Sequence, residues 1–141
     1  MAKKYAKIQI YSDGGARGNP GPAAVGVLIC DAEGNALLEH AETIGATTNN
    51  VAEYRAVILA LELAQQFAPV EVYYFADSEL VVRQLTGRYR IKAPHISALA
   101  ATVREKERAY SKIVYTHVPR THEKIQIVDD LLNQALNRAG H

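Results

Sequence analysis

The sequence lacks several features that would otherwise decide its class. It has one cysteine, Cys30, and no tryptophan. A single thiol excludes a disulfide framework and a cysteine-built zinc site, and it suits a reducing, cytoplasmic setting. No apolar run approaches the roughly 20 residues that cross a bilayer, so no membrane partner is expected. Met1-Ala2-Lys3-Lys4-Tyr5 also lacks the apolar stretch of a secretory leader. Net charge is nearly absent, +1 over 141 residues. There is no low-complexity tract, linker or internal repeat, which predicts one domain over residues 1–141, monomeric by default. An apolar content of 48% is enough to give that domain a core.

The small net charge hides a segregation. Residues 83–124 hold ten Lys/Arg against three Asp/Glu, and the rest of the chain six against twelve. This suits a polyanion gripped on one surface and processed at another; it equally suits an ordinary solvated basic face.

Hydrophobic spacing predicts the elements. Tyr5, Ile8 and Ile10 alternate with polar residues over 5–12, and 22–31 is a mostly apolar run. Glu33-Gly34-Asn35 is a turn signal before a third strand over 36–44, so the first three strands form an antiparallel meander. From Asn50 the period becomes helical through Val57, Ala60, Leu61 and Ala64, giving a helix over 50–67 that Pro69 ends. A buried-type strand over 70–76, a short helix over 78–86, a helix over 94–109, a strand over 112–118 and a helix over about 126–138 complete the order βββαβααβα. The fold class is α/β: a mixed five-stranded sheet, three antiparallel strands then two parallel ones, flanked by helices.

Three acids stand in telling places. Asp13 ends the first strand and enters Gly14-Gly15-Ala16-Arg17-Gly18-Asn19-Pro20-Gly21-Pro22, and Asp77 ends the fourth strand at Asp77-Ser78-Glu79. Parallel strands bring their carboxyl ends to one sheet edge, where open α/β sheets keep their sites. Asp-Gly is also a turn dipeptide, and Asp77-Ser78 also fits a helix cap. Glu53 fits a capping box with Asn50, yet it continues the apolar face of Val57, Ala60, Leu61 and Ala64, where a lone carboxylate is costly. Near the C-terminus Asp130 stacks with Gln134 and Asn137, whereas Asp129 stacks with Leu132 and Leu136 and is the better fourth candidate; a solvated acid near a helix start is the other reading of it. Carboxylates gathered at one edge raise each other's pKa unless a hard cation joins them, and oxygen-only ligands favour Mg²⁺ or Mn²⁺.

In Ser12-Asp13-Gly14-Gly15, Gly18-Asn19-Pro20-Gly21-Pro22, Thr47-Thr48-Asn49-Asn50-Val51-Ala52-Glu53, Asp77-Ser78-Glu79-Leu80, Val118-Pro119-Arg120 and Asp129-Asp130-Leu131-Leu132, the chain resembles a type 1 ribonuclease H. The likeness covers almost the whole chain, in a compact form without a basic protrusion or a hybrid-binding domain. It implies a ribonuclease H-like fold and endonucleolytic hydrolysis of the RNA strand of RNA/DNA hybrids, leaving 5′-phosphate and 3′-hydroxyl ends. Two Mg²⁺ ions, with Mn²⁺ as substitute, are implied among Asp13, Glu53, Asp77 and Asp129, one for the attacking water and one for the leaving oxygen. His122 is implied as a mobile histidine that aids proton transfer or product release.

Recognition of a 2′-hydroxyl across a wide minor groove is how proteins tell RNA from DNA. The resemblance assigns this to the backbone at Gly14 and Gly15 and to Asn19, Asn49 and Asn50, with Thr48 on a DNA-strand phosphate. Arg90 and Lys92, in the run Arg88-Tyr89-Arg90-Ile91-Lys92, track the phosphate backbone. Some relatives place an arginine where this chain has Ala46, which leaves open a broadened enzyme that also cuts double-stranded RNA. An inert hybrid-binding module is the reading from another class.

Overall fold

A computed structural model describes residues 5–141, so the reading made on the first four residues lies outside it. The chain forms β1 (Lys7–Ala16), β2 (Gly21–Asp31), β3 (Ala36–Thr47), α1 (Asn49–Ala64) with a 3₁₀ turn over Gln65–Phe67, β4 (Glu71–Ala76), α2 (Glu79–Leu85), α3 (Pro94–Glu107), β5 (Lys112–His117) and α4 (Glu123–Arg138). The sheet runs β3-β2-β1-β4-β5. β2 pairs antiparallel with β1 and β3, while β4 is parallel to both β1 and β5. This is the mixed sheet expected from the order of elements.

Both faces of the sheet are covered, which is why β2 is buried almost throughout instead of alternating. Ile8, Ile10, Val27, Ile29, Val72 and Tyr74 join Val57, Leu61 and Val81 in the main core under α1, α2 and α3. Tyr11, Leu28 and Cys30 point the other way, onto Ile125 and Val128 of α4. Gly26 lets α4 come down on β2, since a Cβ there would stand 2.5 Å from the Val128 carbonyl. The helix therefore rests backbone to backbone on the sheet, and Asp129 follows at once.

The helix expected over 50–67 ends at Ala64 and passes into the 3₁₀ turn, other ends shift by one or two residues, and three boundaries move further for a clear physical reason. β1 runs through Asp13, Gly14 and Gly15 to Ala16 because β2 pairs with it as far as Ala23, so the Asp-Gly pair lies inside a strand and is not a turn. β3 continues to Thr47 for the same reason, its partner β2 reaching back to Gly21. α4 starts at Glu123, not about 126, because His122 caps it, its Nδ1 accepting from Lys124 N at 3.1 Å. The strand-like alternation at Ile125-Gln126-Ile127 is the first turn of that helix, with Ile125, Val128 and Leu132 buried at helical spacing.

Candidate active site

The site lies where β1 and β4 part. Their parallel register ends at Ser12 opposite Ala76, and the next residues on the two strands are Asp13 and Asp77. Beyond this point β1 follows β2, and β4 turns into α2. Ser78 caps α2 by accepting from Val81 N at 3.2 Å, so Asp77 is not needed as the cap.

Glu53 arrives from α1 because of Gly14. A Cβ on Gly14 would stand 2.2 Å from the Ala52 carbonyl oxygen and 2.7 Å from Glu53 N, so only glycine lets the first turns of the helix rest on β1. Two asparagines hold that approach. Asn49 N donates to Asn19 Oδ1 at 3.0 Å, and Ala16 N donates to Asn49 Oδ1 at 2.8 Å, which ties the glycine-rich loop to the helix start. Thr48 is the N-cap, accepting from Val51 N at 3.3 Å. A capping box at Asn50 is thus ruled out, and Glu53 lies in the second turn without a capping role.

Asp13, Glu53 and Asp77 each offer a carboxylate oxygen within 4.8 Å of the others. Burial, then the charges of Asp77, Glu53 and Asp129, push Asp13 up to about 9, against a smaller opposing pull from Arg120. Burial also pushes Glu53 up, to about 7, although a hydrogen bond from Ser78 opposes the rise. Without a cation the protein keeps these acids together by holding protons between them. Beneath them Ser12 Oγ and Tyr74 OH share a short buried hydrogen bond, which satisfies both hydroxyls in the core. An all-oxygen set of three converging acids, largely withdrawn from solvent, fits a hard divalent cation.

Asp129 is the fourth acid of the neighbourhood and is not in the tight cluster. It stands on α4 across a cavity of about 400 Å³ whose walls include Asp13, Gly15, Glu53, Arg120 and Asn133. Its charge is felt at Asp13. Asp130 is exposed. Arg17 braces the two sides of this cavity: its Nη2 donates to the Asn133 carbonyl and Oδ1 at 3.3 and 3.2 Å, and its Nη1 to the His141 carbonyl at 2.5 Å. Asn133 in turn donates to the Asp129 carbonyl at 2.9 Å. Arg120 places its Nε 3.6 Å from Asp77, with the arginine side chain 88% exposed and the aspartate side chain 6%. Neither arginine had a role assigned from sequence. Arg17 lies between the two glycine-rich motifs and Arg120 ends Val118-Pro119-Arg120, but their partners are far away in the chain.

His122 is not among the cavity walls. Its ring packs on Tyr11 at 5.3 Å between centroids while Nδ1 caps α4, so one ring nitrogen is already committed. Of the substrate-contact candidates, Gly14, Gly15 and Asn49 line the cavity together with Asp13, Glu53 and Asp129, although Gly14 is itself buried under α1. Asn19 and Asn49 use their side-chain carbonyl oxygens in the loop tie, and among the described residues their Nδ2 groups make no hydrogen bond. Thr48 keeps its hydroxyl proton free to donate, and Asn50 is half-buried beside it. Arg90 and Lys92 are exposed after α2, outside this cavity.

A chain whose two parallel strands part at a pair of acids, with a helix adding a third, has the architecture of a nuclease of the ribonuclease H fold. A family model described as reverse transcriptase-like matches residues 11–135. Ribonuclease HI of Halobacterium salinarum is 41% identical over 134 residues, covering 94% of this chain and 66% of that protein. The N-terminal RNase H domain of rv2228c from Mycobacterium tuberculosis superposes with a TM-score of 0.90 at 38% identity, with 96% of each chain covered. LC11-RNase H1, solved in complex with an RNA/DNA hybrid, gives 0.89 at 45% identity, covering 95% of this chain and 99% of that one. This chain belongs to the ribonuclease H family, type 1, within the reverse transcriptase-like group. It spans about two thirds of the halobacterial relative and 36% of the mycobacterial bifunctional protein Rv2228c.

Proposed function

We propose that this chain is an endoribonuclease that hydrolyses the RNA strand of RNA/DNA hybrids in the cytoplasm, acting as a monomer. The observation that carries the reading is the convergence of Asp13, Glu53 and Asp77 within 4.8 Å at the parting of β1 and β4. Such a cluster is costly to a protein that does not use it. Relatives called ribonuclease H, one of them solved with an RNA/DNA hybrid, support the substrate class.

Asp13, Glu53 and Asp77, with Asp129 opposite, would hold two Mg²⁺ ions, or Mn²⁺ in their place. When bound, these supply an activated water and charge stabilisation at the departing 3′ oxygen. The residues of the chain do the positioning. Ser78 orients the Glu53 carboxylate through its hydroxyl. The loop tie between Asn19 and Asn49 uses their side-chain oxygens and leaves their amide NH₂ groups, the one of Asn49 in the cavity wall, as donors suited to sugar oxygens and base edges in a wide minor groove. Thr48 donates its free hydroxyl proton to a DNA-strand phosphate. Arg17 holds the strand bearing Asp13 at a set distance from the helix bearing Asp129.

The test is cleavage of end-labelled RNA/DNA, RNA/RNA and DNA/DNA duplexes of one sequence. The reading requires cuts in the RNA strand of the hybrid and none in DNA/DNA. Cuts in RNA/RNA as well would establish the broadened enzyme. A hybrid that is bound but left intact with either metal would make the chain a binding module.

A further inference from the structure

We infer that a second cavity, between α2 and the outer strand β5, seats a backbone phosphate of the substrate duplex away from the scissile bond. This rests on the ribonuclease reading and adds a binding subsite to it. The cavity encloses about 250 Å³, with Arg83, Thr86, Arg88, Thr116 and His117 around a floor that includes Val82. No carboxylate lines it. The charge that Arg88 brings to its wall is therefore uncompensated among the described residues, the reverse of the acid-walled cavity on the other side of the site.

The local fold gathers that charge. Arg88 N and Tyr89 N both donate to the Arg83 carbonyl, at 2.8 and 3.1 Å, so the chain doubles back after α2 and sets Arg88 beside Arg83. Arg83 is already arranged: its Nε pairs with Glu79 at 2.9 Å, and its guanidinium lies over the Tyr89 ring at 5.4 Å. Arg88 has no ion pair among the described residues. Thr86 spends its hydroxyl proton on the Val82 carbonyl at 2.8 Å, which leaves two guanidinium groups, an imidazole and the Thr116 hydroxyl as the donor set that a tetrahedral phosphodiester accepts from. The space exceeds what such a group needs, since a single water takes about 30 Å³. With no acid in the wall, a cation is excluded as the occupant.

Position selects the ligand. His117 is in register with Ala76, the residue before Asp77, and β5 is parallel to β4, so the cavity opens beside the catalytic edge. The acid-walled cavity lies on the β1 and α4 side of the same carboxylates. A duplex crossing the edge with its scissile bond at Asp13, Glu53 and Asp77 extends past both. The basic run beginning at Arg88 then grips the substrate through its first residue, within a shaped cavity, while Arg90 and Lys92 stand outside it.

The test uses Arg88→Ala, His117→Ala and the double variant. Arg108→Ala, exposed just past α3 and outside the cavity, controls for charge. Hybrid affinity is measured by anisotropy without metal over a potassium chloride series, and cleavage kinetics are measured in Mg²⁺. The double variant should raise Kd and KM about 10-fold and lower the logarithmic salt slope by about one, the share of one neutralised phosphate. Hybrids with a neutral methylphosphonate stepped along either strand locate the contact. One position several nucleotides from the cut should weaken the wild type and leave the double variant unaffected, and the strand carrying it identifies the phosphate. Shifts no larger than those of Arg108→Ala, or identical methylphosphonate profiles in both proteins, would overturn the inference. Cleavage by the wild type in the same reactions tests the ribonuclease reading separately.

Discussion

Raising the pH should destabilise the protein when metal is withheld and should not when Mg²⁺ is present. In the folded chain Asp13 is pushed up to about 9 and Glu53 to about 7 from ordinary carboxylate values, burial being the larger cause in both. In the unfolded chain both ionise near pH 4. Above that pH the folded state binds more protons than the unfolded state, so stability falls as pH rises, until the folded groups ionise in turn. Between pH 7 and 9 the excess is about one proton, held by Asp13. At about 1.4 kcal/mol per pH unit per proton, the loss is about 3 kcal/mol. For a chain of 141 residues this is a fall in Tm of roughly 10 °C. Saturating Mg²⁺ replaces the protons and removes the fall. Thermal melts at pH 6, 7, 8 and 9 with chelator or Mg²⁺, on wild type and Asp13→Asn, read this directly. A chelated wild type whose Tm is level from pH 7 to 9, or whose slope Asp13→Asn reproduces, would refute the electrostatic account.

Other expectations are narrower. Gly14→Ala puts a Cβ into the Ala52 carbonyl, so α1 must lift; urea unfolding should show a loss of about 3 kcal/mol or more, together with lost Mg²⁺ binding. Ser78→Ala removes the cap of α2 and the hydroxyl that orients Glu53, so stability should fall by about 1 kcal/mol and kcat should fall more than KM rises. His122→Asn keeps a capping side chain in place of the imidazole, and hybrid-cleavage assays should find at least a tenth of wild-type activity if His122 is chiefly a cap.

Much of this arrangement is legible in the chain before any coordinates. The acids on β1 and β4 stand out because an apolar strand ending in Asp is unusual, and the order of elements makes those strands parallel neighbours. What was misread turns on partners distant in sequence. Asp13-Gly14-Gly15 looks like a turn because Asp-Gly favours turns, but β2 extends far enough to keep it in the sheet. The need for glycine at position 14 comes from the backbone of α1, 38 residues on, and not from an unusual dihedral angle. Asn50 looked like a helix start by spacing alone, until Thr48 took the cap. His122 is a mobile histidine by resemblance, and only the longer α4 makes it a capping residue. Arg17 and Arg120 gain meaning only where α4 and Asp77 meet them.

The central claim is that the clustered acids perform metal-dependent hydrolysis of RNA paired with DNA. Single-turnover cleavage of a 5′-labelled hybrid by wild type and Asp77→Asn, with Mg²⁺ and with chelator, tests it most directly. The account expects 3′-hydroxyl fragments of the RNA strand from the wild type in Mg²⁺, none with chelator, and a rate at least 1,000-fold lower for Asp77→Asn, the order lost when a central catalytic group is removed. Equal rates for the two proteins, or cleavage that persists in chelator, would contradict it.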